Sequence, residues 1–79
     1  KISKSMEIFN NVSANKRVRS VVDFTVRQVS IDRPDADSKL KARLVINKMK
    51  QKTCVPSHKE DYKTAIANME AIYNETFNA

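Results

Sequence analysis

The stretch KLKARLVINKMKQK, Lys39 to Lys52, sets six cationic side chains among six aliphatic ones without a single Asp or Glu. Its charge of +6 equals the net charge of the whole chain, so the rest of the sequence balances to zero. Any long-range field the molecule projects is therefore centred here. Placed on a helix at about 100° per residue, the segment separates into four sectors. Ala42, Val45, Ile46 and Met49 form one apolar sector, and Leu40 and Leu44 form a second on another side. Two apolar sectors predict two packing neighbours, and hence a central position for this helix. Two basic stripes lie between them. One holds Lys39, Arg43 and Lys50 together with Asn47, and the other holds Lys41, Lys48 and Lys52.

Working outward, the whole chain of 79 residues bounds the protein to one domain with a single modest core. Glycine is absent, which removes the residue best suited to tight hairpins, left-handed helix caps and phosphate-cradling loops. The balance shifts to helices. A sequence pI near 9.7 suits an anionic partner, with nucleic acid ahead of an acidic protein or an anionic membrane surface. Cys54 is the one cysteine, so no intramolecular disulfide can form, and a cytoplasmic setting follows. No run approaches the roughly 20 apolar residues that span a bilayer, and no membrane partner is expected. The chain starts at Lys1 without the apolar stretch of a signal peptide, which fits either missing first residues or a piece of a longer protein. Sequons at Asn11 and Asn74 carry little weight in an Asn-rich chain without a secretion signal.

Four helices are predicted, near 3–12, 14–30, 36–53 and 57–77, making an all-α four-helix bundle. The first places Ile2, Met6 and Phe9 on one face beside Ile8 and Val12. Ser13 is positioned to cap the second, in which Val18, Val21, Val22, Val26 and Val29 follow helical spacing with Phe24 at the edge of the face. Five valines also favour a strand, but alternation fails at the adjacent Val21 and Val22 and no glycine turn is present. Residues 31–37 read as the linker, where Pro34 stops the helix and Asp32, Asp35 and Asp37 stand at the start of the basic segment. Ser57-His58-Lys59-Glu60 forms a capping box behind Pro56, and Tyr62, Ala65, Ile66, Met69, Ile72, Tyr73 and Phe77 share one face of the last helix.

No catalytic constellation emerges. His58 and Cys54 lack a second His or Cys to complete a metal site or a nucleophile-base pair, and the carboxylates are spread among caps and polar faces. His58 reads as an exposed first-turn residue. Neither metal nor cofactor is expected, and the chain is not read as an enzyme. A second basic cluster, Lys16, Arg17 and Arg19, opens the second helix, where cations oppose the helix dipole unless an anion relieves them. With the cations of Lys39 to Lys52 it would make a phosphate-binding surface. Between the two stripes, that of Lys39, Arg43, Asn47 and Lys50 is expected to make the contact, because Asn47 can both donate and accept. Aromatic rings among these cations would point to single-strand stacking, and only Phe24 lies outside the expected core.

A basic, Gly-free helical chain with its charge on inner helices resembles the HRDC-type helical nucleic-acid-binding modules of RecQ-type helicases. The Lys- and Asn-rich composition of INKMKQK and AIYNETFNA is also similar to that of a small helicase-associated protein of T-even phages. The resemblance implies a non-enzymatic DNA-binding accessory to a helicase or recombination-repair machine, in the host cytoplasm if phage-encoded. It transfers no individual residue. The rival reading is a regulatory module whose basic face docks an acidic partner protein.

Overall fold

A computed structural model of the protein describes residue 9, residues 11–52 and residues 56–78. Among them are three α-helices and no strand: α1, Lys16–Asp32; α2, Ser38–Gln51; and α3, Lys59–Phe77, preceded by a 3-10 turn at Pro56–His58. The all-α expectation holds, and the valine-rich segment is helix rather than strand. The expected count of four helices is not met among these residues. Most of the predicted 3–12 helix lies outside the described residues, and at its end Asn11 and Val12 form a turn and bend. Phe9 and Val12 are nonetheless buried in the core, and the Val12 carbonyl accepts from the Asn68 carboxamide of α3 at 2.9 Å.

The helices alternate in direction, and two contacts fix the register. The hydroxyl of Tyr62, in the first turn of α3, donates to the Met49 carbonyl in the last turn of α2 at 3.0 Å. That carbonyl is one of those a helix end leaves short of partners. At the same end, the side chain of Asn15 before α1 reaches His58 and Asp61 at the start of α3. The α1 start and the α3 start therefore share one pole of the molecule, while the last turn of α2 meets α3 at Tyr62 and α1 at its middle, beside Phe24 and Thr25.

The core is a single cluster. Val18, Val22, Val26 and Val29 of α1 meet Ala42, Val45, Ile46 and Met49 of α2, and Tyr62, Ala65, Met69 and Tyr73 of α3. Thr25 is the one buried polar side chain among the described residues. Its hydroxyl donates to the Val21 carbonyl at 2.7 Å and lies 3.6 Å from the Met49 sulfur, so no polar group is left unsatisfied there. The expectation of two packed apolar sectors on α2 needs correction. One sector of four fully buried residues serves both neighbours, whereas Leu40 stays 41 % exposed and Leu44 is only partly buried. A helix flanked by two others at a shallow angle can pack against both with one broad face.

Helix starts also depart from expectation. Asn15, not Ser13, caps α1: its backbone is extended and its Oδ1 accepts from the amides of Arg17 and Val18. The Ser13 hydroxyl instead accepts from the Asn15 amide at 3.1 Å. Asp37 caps α2 through the Leu40 amide at 2.8 Å, in keeping with carboxylates at that start. At α3 the capping box is not formed, because the chain tightens into a 3-10 turn and His58 takes the cap position with no side-chain cap bond. Helix α1 runs two residues past the expected end and stops at Arg33, next to Pro34.

Candidate nucleic-acid interface

The cations are spread over all three helices once the helices are placed. At the shared pole, Lys16, Arg17 and Arg19 open α1 and Lys59 and Lys63 stand in the first turns of α3, while Lys48, Lys50 and Lys52 close α2. Glu60 and Asp61 stand in the first turn of α3, where they complement the helix dipole. The opposite pole gathers Asp32, Arg33, Asp35 and Asp37 at the α1–α2 link with Lys39 and Lys41 at the α2 start. The last turn of α2 meets α1 at Phe24 and Thr25, eight and nine residues past Lys16, so the two basic clusters of the sequence lie on adjoining helices at different levels.

Asn15 organises this pole. Because its Oδ1 is committed to two α1 amides, its amide nitrogen faces α3, where it lies 3.1 Å from His58 Nδ1 and donates to Asp61 Oδ2 at 2.7 Å. His58 is consequently half-buried and acts as an acceptor toward Asn15, rather than being the exposed first-turn residue expected. The α1 start keeps its cations beside the helix terminus because the cap and the clasp hold them there. No acidic residue lies in its first turn.

Along α2 the two stripes meet different surroundings. On the α3 side, the Arg43 guanidinium lies over the Tyr73 ring, 5.5 Å from its centroid. Tyr73 in turn packs against Phe77, with centroids 5.3 Å apart. Lys50 pairs with Glu70 at 2.7 Å, both side chains over a third exposed, an ion pair of small energetic weight. Lys39 is exposed and Asn47 half-buried on this stripe. On the α1 side, the Lys52 ammonium lies over the Phe24 ring at 5.7 Å. Lys48 is exposed and Lys41 half-buried on that stripe, and among the described residues neither has a carboxylate within 4 Å.

The structure sets Lys52, one turn past Lys48, beside Phe24 of α1, brings Lys50 to Glu70 of α3, and leaves Lys16, Arg17 and Arg19 at the α1 start and Lys39 and Lys41 at the α2 start. It also adds Phe24, Asn15 and His58 to the neighbourhood, none of which the charge pattern singled out as a site residue. Cys54 lies outside the described residues. Among the described residues no three His, Cys, Asp or Glu are grouped to hold a metal ion, and no helix is long and apolar enough to cross a membrane. No protein-family model, curated protein or solved structure matches the chain.

Proposed function

We propose that the protein binds nucleic acid, DNA in the first place, through phosphate contacts from the cationic surfaces of α1 and α2, and catalyses no reaction on it. The observation that carries this reading is that Lys16, Arg17 and Arg19 at the α1 start and Lys48 and Lys52 on the α1-facing side of α2 lie on adjoining helices, and that among the described residues none of the five has a carboxylate within 4 Å. Solvated surfaces ordinarily intersperse signs. A cluster of one sign has a repulsive self-energy that an anionic polymer relieves, with release of its condensed counterions. The resemblance of the sequence to helicase-appended modules is what suggests a role as accessory to a DNA helicase or recombination-repair protein.

Two stripes on opposite sides of α2 cannot both lie flat on one ligand. The stripe on the α3 side has its middle cations engaged by Tyr73 and Glu70, so the stripe of Lys41, Lys48 and Lys52 and the start of α1 are the better contact. The test is a titration against single-stranded, duplex and branched DNA at several salt concentrations. The proposal expects log Kobs to fall linearly with log salt, with each neutralised phosphate adding roughly 0.7 to 0.9 to the slope. A flat response at low ionic strength would remove phosphate contacts, and with them this function.

A further inference from the structure

Phe24 is the feature the fold does not use. Of three Phe and two Tyr, Phe9, Tyr62 and Tyr73 are buried and Phe77 is half-buried, whereas Phe24 is 55 % exposed. A lone exposed apolar side chain is ordinary on a protein surface. Its setting here is more specific. The ring lies on the flank of α1 next to α2, beneath the Lys52 ammonium and on the same side of α1 as Arg17 seven residues earlier. Lys48 precedes Lys52 by one turn on α2. A π-face is thus bordered by cations from two helices on the edge that the phosphate-binding reading already favours.

We propose that Phe24 is a stacking platform for an unpaired base, with Lys52, Lys48 and Arg17 taking the flanking phosphates, so that the ligand is single-stranded nucleic acid. This rests on the nucleic-acid reading above and narrows it. The cation over the ring is consistent with a site waiting for a base: an ammonium on an exposed aromatic face is a weak partner, and a stacked base is a stronger one. When a base displaces Lys52, the freed ammonium remains within reach of the phosphate of the same nucleotide, so a cation–π contact is exchanged for stacking plus an ion pair. A duplex offers no such exchange, because its bases are already stacked on one another and only its backbone and groove edges are presented. The surface chemistry therefore discriminates between strands by a ring and not by charge.

The chain contains no Trp, so Phe24→Trp installs a single indole at the site. Saturating oligothymidylate should quench that indole, and the matching duplex should not. Phe24→Ala should lower affinity for oligothymidylate about 5- to 150-fold, leave duplex affinity unchanged and leave the salt slope unchanged, since no phosphate contact is lost. Lys52→Gln should instead reduce the single-strand slope by about 0.7. Circular dichroism of each variant guards against misfolding, and Phe24 lies outside the core. If Phe24→Ala binds the single strand as the parent does while a steep salt slope persists, the stacking site is wrong and the phosphate-binding reading survives. If neither the single strand nor the duplex binds the parent at low salt, both fall together.

Discussion

Two cations of α2 lie over aromatic rings at nearly the same distance, Arg43 over Tyr73 at 5.5 Å and Lys52 over Phe24 at 5.7 Å. The pairs differ in what lies under the ring. Tyr73 is 8 % exposed and belongs to the core cluster, with Phe77 packed against it. Phe24 is 55 % exposed. In the first pair the guanidinium closes over an aromatic that the fold already requires, and its stem covers apolar surface as long cationic side chains do. In the second the ring has no role in the core, so the contact is an arrangement of surface groups. Two similar cation–aromatic distances therefore mark a structural edge of α2 and an edge available to a ligand.

The comparison is broken most directly by truncating each ring. Tyr73→Ala should destabilise the fold by about 3 to 5 kcal/mol, as for other large aromatic truncations in a core. A domain of this size has only about 4 to 12 kcal/mol in all at 0.05–0.15 kcal/mol per residue, so chemical denaturation should show a severely weakened protein. Phe24→Ala should move the unfolding midpoint by less than about 0.5 kcal/mol, the usual range for surface changes. Comparable losses at the two positions would erase the distinction between the edges.

The start of α1 depends on its cap. Asn15→Ala removes the acceptor for the Arg17 and Val18 amides together with the bonds to His58 and Asp61, and should cost about 1 to 2 kcal/mol. For a domain of 60–100 residues that is a fall in Tm of roughly 4 to 16 °C by calorimetry. Ser57→Ala, in the 3-10 turn with no cap bond assigned to the start of α3, should change Tm little. The reverse order would restore the capping box as the true start of the last helix.

The smallest effect concerns Glu70. Glu70→Gln releases Lys50 from a largely solvated ion pair, so stability should fall by less than about 0.5 kcal/mol. Nucleic-acid affinity, read by fluorescence anisotropy, should rise only through the one unit of added charge. A rise much larger than that of a control such as Glu75→Gln would mean that the α3 side of α2 is a masked contact and not a structural edge.

Much of the fold was legible because it rests on local patterns. The buried sector of α2, the valine face of α1 and the apolar face of α3 all follow from helical spacing, and Pro34 with Asp37 marks the joint between α1 and α2. Caps were harder. Ser13 and Asn15 are both good cap residues, and Ser57 stands at the right spacing from Glu60, so only backbone angles decide among them. Leu40 and Leu44 looked like a second packing face because periodicity reports which residues share a side, not whether a neighbour arrives there. The candidate site was legible as charge and illegible as geometry. Which cations are engaged depends on Tyr73 and Glu70, more than twenty positions from Arg43 and Lys50 for one and twenty for the other, brought alongside by the register of α3. Phe24 was marked as the aromatic outside the core, but nothing local places it under Lys52.

The central claim is that the α1-facing edge of α2 meets phosphates and the α3-facing edge does not. Salt dependence of single-stranded DNA binding measures this for paired neutralisations, Lys48→Gln with Lys52→Gln against Arg43→Gln with Lys50→Gln. At about 0.7 per phosphate on a single strand, the first pair should lower the slope of log Kobs against log salt by about 1.4 and the second should leave it unchanged. Equal falls for the two pairs, or a fall confined to Arg43 and Lys50, would contradict the account.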